Sequence, residues 1–154
     1  LAAQLNQANN EKPIWLEDES ITIGKRFIPT ELWQQMRDAH LINVKIPVTQ
    51  RVEFLVNEYG RLDKDFLREC TQRIWTRLGP EQTKNALLAI DEDRMADFIS
   101  VVLVYYDKTY RTGLSKRPSD SVHELDCEDT DATGNAARIL EFYNKMAGTM
   151  SSIS

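Results

Sequence analysis

At 154 residues, 42% hydrophobic and 28% charged, the chain has the composition of one ordinary globular domain with room for a sizeable core. No apolar run reaches the ~20 residues of a membrane-spanning helix, and the opening LAAQLNQANN lacks the basic and apolar regions of a signal peptide. The formal charge of -5 does not exclude an RNA partner. Ser119 to Asp131 carries Asp120, Glu124, Asp126, Glu128, Asp129 and Asp131 with no Lys or Arg, so the rest of the chain is near neutral. Phosphate binding depends on a local basic patch, not on net charge.

Residues 1 to 9 read as the end of a helix, and the chain as a fragment of a longer protein. Residues 13 to 18 read as a buried strand through Ile14, Trp15 and Leu16. This strand empties into Glu17, Asp18 and Glu19, and a short apolar run then leads to Gly24, Lys25 and Arg26. Thr30 is the expected N-cap of a helix from Glu31 to Ala39. Leu41 to Ile46, β-branched and mostly apolar, reads as a second strand. Pro47 opens a helix that places Val52, Leu55, Val56 and Tyr59 at core spacing and ends at Gly60.

From Asp63 to Asp107 the spacing is helical throughout. Phe66, Leu67, Cys70, Ile74, Trp75 and Leu78 predict one helix, stopped by Gly79-Pro80. A short helix follows over Glu81 to Ile90. A third, capped by Asp91 or Asp93, runs to Tyr106 and is apolar nearly all round, from Phe98 to Val104. Gly113 to Ser121 reads as a loop, Ser121 to Cys127 as a third strand, and Ala132 to Met146 as a final amphipathic helix.

The resulting class is α/β: a partial P-loop-type parallel sheet flanked by helices, with a helical insertion at about 61–107. Residues 1–147 would form the carboxyl-side portion of a P-loop-like domain, and 148–154 a disordered tail.

An apolar strand ending in acids delivers carboxylates to the crevice at the carboxyl edge of an α/β sheet. There Asp18 is the candidate to hold Mg²⁺ opposite a diphosphate. Glu17 and Glu19 lie on the other face of the strand, and Lys25 and Arg26 supply balancing charge. The alternative is a solvated strand end. Gly24-Lys25-Arg26 is not a phosphate loop: GxxxxGK followed by Ser or Thr needs glycine where Glu19 stands and a hydroxyl where Arg26 stands.

Arg61, Arg68, Arg73 and Arg77 lie on or just before one predicted helix. They read as a tRNA-backbone or phosphate stripe, or as a solvated face balanced by Asp63, Asp65 and Glu69. Tyr105, Tyr106, Lys108 and Arg111 interleave aromatics with cations, as stacking sites for unpaired bases do, and equally as a wet helix end does. Cys70 and Cys127 make no metal or disulfide pattern, and His40 and His123 are isolated.

Several of these stretches together resemble the tRNA 2-selenouridine synthases. WLEDESITIGKRFIP, ELWQQMRDA, VKIPVTQRVEFLVNEY, RIWTRLG and YYDKTY occur in that family's order, covering residues 13 to 111 closely and the last strand and helix more loosely. The resemblance implies replacement of sulfur by selenium in the wobble 2-thiouridine of tRNA. Selenophosphate and geranyl diphosphate would be co-substrates, an S-geranylated species the intermediate, and the cytoplasm the compartment. Family members place a rhodanese-like domain with a catalytic cysteine, then a Walker-A loop, ahead of the matching region. Neither motif is in this chain, and neither Cys70 nor Cys127 takes the cysteine's role. The expected identity is therefore the carboxyl-terminal part of such an enzyme, partnered by tRNA and by the missing amino-terminal part, and inactive alone. Half of a small P-loop kinase and a non-catalytic tRNA-binding module are the alternatives.

Overall fold

The computed structural model describes residues 7, 9, 12–18, 20–23 and 25–151. The helix expected over residues 1–9 falls largely outside them, as do Glu19 and Gly24. The chain divides into two compact units, Leu1–Leu41 and Ile42–Ser154.

In the first unit, a hairpin follows the acidic stretch. Strands β1 (Thr22–Ile23) and β2 (Arg26–Phe27) pair antiparallel, with Thr22 opposite Phe27 and Ile23 opposite Arg26. The Ile28 N–H donates to the Ile21 carbonyl at 2.8 Å and extends the ladder. Ile28 is buried, whereas Phe27 points to solvent. Helix α1 (Thr30–Asp38) comes next. Thr30 is its first residue and not its cap; Pro29 holds the cap position and no side chain caps the helix.

The strand expected at residues 13–18 is not a sheet strand. Ile14, Trp15 and Leu16 are 51%, 48% and 46% exposed, and the segment is extended but belongs to neither sheet. The reason is physical. An extended apolar segment becomes a sheet strand only where a neighbouring strand completes its hydrogen bonds, and no described strand lies in register with it.

The second unit holds the core, and the core is helical. Strand β3 (Leu41–Lys45) leads into α2 (Val48–Tyr59), which starts directly after Pro47. Helix α3 (Lys64–Arg73) is capped by Asp63, whose side chain accepts from the N–H groups of Asp65 (2.9 Å) and Phe66 (3.0 Å). The single helix expected across Leu78 is broken. Ile74 (φ -101°, ψ 5°) ends α3, and α4 (Trp75–Leu78) starts afresh. Gly79 then turns the chain at φ 91°, ψ 155°, a region closed to other residues, and Pro80 opens α5 (Pro80–Asp91).

Helix α6 (Met95–Leu114) is 20 residues long and runs well past the expected end at Tyr106. Neither Asp91 nor Asp93 caps it: Asp93 sits at φ 58° in the turn and Arg94 takes the cap position. Nothing between Asp107 and Gly113 stops a helix, and Thr109 and Thr112 donate to the carbonyls of Tyr105 (3.1 Å) and Lys108 (2.9 Å), closing their side chains onto its backbone. Leu67, Leu78, Ala86, Ala89, Ile90, Phe98, Ile99 and Leu103 form the core, flanked by Val52, Leu55, Val56 and Tyr105. The apolar stretch of α6 is thus a helix. It is not buried all round, because Val104 is 71% exposed.

After a 3-10 turn (Ser119–Ser121), β4 (Val122–Asp126) lies parallel to β3 in a two-stranded sheet flanked by helices. The Cys127 N–H donates to the Lys45 carbonyl at 2.8 Å, and the Lys45 and Glu124 side chains form an ion pair across the sheet. The fold is α/β as expected; among the described residues two of the three expected strands pair in this sheet, and the hairpin β1–β2 makes a second one. Helix α7 (Ala132–Ser151) closes the chain, continuing past the expected end at Met146. Asp131 anchors its start by accepting from the N–H groups of Thr133 and Gly134, each at 3.1 Å.

Candidate functional site

The acidic stretch delivers its carboxylates on extended backbone. Glu17 is exposed, and Asp18 is partly shielded. Helix α1 brings Arg37 to Asp18, with Nη1 3.7 Å from Oδ2. The same guanidinium lies 5.8 Å from the centre of the Trp33 ring, one turn earlier on α1, and so is held from two sides. Lys25 sits in the hairpin turn and Arg26 in β2, both exposed. The side chain joined to Asp18 is therefore a residue that the sequence pattern did not single out. Its spacing of four from Trp33 was the available signal.

Among the described residues, no group of three or more His, Cys, Asp or Glu side chains converges as a metal cage. No helix among them is long and apolar enough to cross a membrane.

In the second unit, the basic residues separate into two kinds. Arg68 is committed internally: it donates to Asp91 (2.6 and 2.9 Å) and to Asp65 (2.5 Å). The hydrogen bond to Asp91, more than any other contact, raises its pKa above the ordinary arginine value. Arg73 pairs with Glu69 at 2.5 Å, and Lys64 with Asp93 at 2.5 Å. Arg61, Arg77, Lys108 and Arg111 are exposed and have no ion-pair partner among the described residues.

The break at Ile74 puts Arg73 on α3 and Arg77 on α4, so they do not share one helical face. The aromatic and basic residues of α6 are likewise parted. At 100° per residue, Lys108 and Arg111 fall on the stripe of exposed Val104, with Tyr106 roughly half a turn away. Tyr105 packs against the core, and Tyr106 meets it edge-on at 5.2 Å between ring centres. Burial, and then the neighbouring Tyr105, Tyr59 and Cys70, push the Tyr106 hydroxyl above its ordinary pKa. Lys108 and Arg111 thus lie on the outward side of α6, while Tyr105 and Tyr106 belong to the seam among α2, α3 and α6.

Residues 1–139 match the family described as the tRNA 2-selenouridine synthase AAA domain. The chain is 28% identical to a curated tRNA 2-selenouridine synthase of Hahella chejuensis, over 92% of this chain and 42% of the relative. It is 27% identical to that of Chromohalobacter salexigens, over 73% of this chain and 39% of the relative. It is 26% identical to that of Proteus mirabilis, over 85% and 44%. The chain thus spans about two fifths of the length of these relatives. No solved structure matches. With nine-tenths of its length inside the family's boundaries, the chain belongs to the tRNA 2-selenouridine synthase AAA domain family.

Proposed function

We propose that this chain is the carboxyl-side portion of the P-loop domain of an enzyme that replaces sulfur with selenium in the wobble 2-thiouridine of tRNA. The reaction proceeds through an S-geranylated intermediate, with geranyl diphosphate and selenophosphate as co-substrates, in the cytoplasm. The observation that carries this reading is the family match over residues 1–139, together with relatives named tRNA 2-selenouridine synthase. The catalytic cysteine and the phosphate loop come from the remaining portion of the protein.

Within that enzyme, the acidic stretch and its hairpin serve the diphosphate. A Mg²⁺ held by one carboxylate and substrate phosphates needs no protein cage. Asp18 suits that single-ligand role: it stands partly exposed on extended backbone, in the segment between a hydrophobic run and a basic hairpin. Glu17 and Glu19 add negative potential around it. Lys25, Arg26 and Arg37 supply positive charge for the anion. Arg61, Arg77, Lys108 and Arg111 are the cations left for the tRNA backbone.

The test joins this chain to the remaining portion of the Hahella chejuensis relative. The expected product, from a 2-thiouridine tRNA with selenophosphate and geranyl diphosphate, is 2-selenouridine. A folded, tRNA-binding chimera that neither geranylates nor selenates would overturn the reading.

A further inference from the structure

A shallow groove of about 770 Å³, widely open to solvent, lies between α3, α4 and α5, with Asp91, the partner of Arg68, on its rim. Trp75, 53% exposed, forms one wall, and Leu87 and exposed Leu88 continue the apolar surface. An indole left half in water at the start of a four-residue helix contributes little to the core.

Four polar side chains line the same groove: Gln72, Thr83, Lys84 and Asp91. Thr83 is only 8% exposed, and its hydroxyl is shut off from solvent without a hydrogen-bond partner. The contrast with Thr71 is informative: that buried hydroxyl donates to the Leu67 carbonyl at 2.7 Å, as a helical threonine readily does. Thr83 forgoes that bond, and a buried polar group left unpaired costs stability. One rotation about its Cα–Cβ bond exchanges hydroxyl and methyl. Gln72 offers an amide, and Lys84 an exposed ammonium with no ion-pair partner among the described residues. The acid at the rim, Asp91, is paired at 2.6 Å with Arg68, which also holds Asp65, so Lys84 is the cation on this lining without a carboxylate bound to it among the described residues.

We infer that this groove takes one unpaired nucleotide of RNA. The base stacks on Trp75 over the leucine floor, the Gln72 amide meets its edge, the Thr83 hydroxyl does so once that rotation brings it outward, and Lys84 holds a flanking phosphate. Aromatic stacking with a single cation and few polar groups is the chemistry of base capture from a single strand. The inference rests on the reading that this protein handles tRNA.

The test measures binding of the 154-residue chain to a fluorescent single-stranded oligouridine, to a 2-thiouridine anticodon stem-loop and to an RNA duplex of equal length. Trp75→Ala should weaken binding to the first two about tenfold, Trp75→Phe should restore most of it, and the duplex should be indifferent to both. Lys84→Gln should lower the slope of log affinity against log salt by about one phosphate contact. Both side chains are exposed, so melting temperature serves as the folding control. RNA binding that is unchanged in Trp75→Ala and Lys84→Gln overturns the inference and leaves the tRNA reading standing. No RNA binding, by the chain or by the chimera, overturns both. Self-association lost in Trp75→Ala, without any RNA effect, assigns the groove to a second copy and overturns the inference.

Discussion

Arg51 on α2 grips Asp107 on α6 with both ends of its guanidinium, at 2.6 and 3.1 Å. The two side chains are 30% and 31% exposed. A two-pronged pair of this kind fixes the angle between its helices as well as their separation. Arg51→Met leaves a half-buried carboxylate without its partner, and unfolding free energy should fall by ~1–3 kcal/mol. Arg51→Met with Asp107→Leu should recover part of the loss. Urea melts of the two single variants and the double variant give the coupling directly.

Tyr106 makes stability depend on alkaline pH. Its folded-state pKa lies above the unfolded value of about 10. Between those two values the folded protein keeps a proton that the unfolded chain loses. The contribution is complete below the unfolded pKa and is lost as pH rises through the folded one. Relative to Tyr106→Phe, the wild type should lose stability from about pH 10 upward and match it in slope below. Parallel slopes across the whole range would show that the hydroxyl is not shielded.

The exposed cations of α6 and the paired Arg73 allow the proposed phosphate contact to be tested against internal pairing. Lys108→Gln with Arg111→Gln should weaken tRNA binding by the chimera and reduce the salt slope by about two contacts. Arg73→Gln, which loses only its bond to Glu69, should leave the slope unchanged. A drop in slope for Arg73→Gln equal to that for the α6 pair would mean that Glu69 releases it to the RNA.

Asp18 and Arg37 are the corresponding test for the diphosphate. Their pair is long and part-exposed, so Asp18→Asn should change stability by no more than about 1 kcal/mol. Geranylation of a 2-thiouridine tRNA by the chimera should nevertheless fall at least about tenfold, a loss of ~1.4 kcal/mol in transition-state stabilisation. Arg37→Met should raise the concentration of geranyl diphosphate needed. Normal geranylation in Asp18→Asn would return the acid to a purely structural role.

How much of this was legible in the sequence varies by element. Periodicity and Pro47 located α2, and β-branching located β3, because those signals are local. Apolarity alone did not decide the fate of Ile14–Leu16, since a strand is defined by its neighbour and not by its own residues. The break at Ile74 left no mark: the apolar positions on both sides keep helical spacing, so Arg73 and Arg77 read as one face. The extension of α6 was hidden by Gly113, which ends many helices but lies within this one. At the candidate site, composition exposed the acids and the basic turn. Arg37 was missed because its partner is on another element. Thr83 was missed because a lost hydrogen bond is visible only in three dimensions.

The buried side chains from Leu67 to Leu103 come from consecutive helices, whereas joining Cys127 to Lys45 closes a loop of about eighty residues. Short closures are cheap in chain entropy and quick to form, and long ones follow. The order of assembly is thereby built into the topology. The helices can condense while β4 is still unpaired, and strand pairing completes the unit instead of nucleating it. In pulse-labelled hydrogen exchange, amides of α5 and α6 should gain protection ahead of the Cys127 amide. The sheet, which defines the fold class, would then be the last part of this unit to take shape.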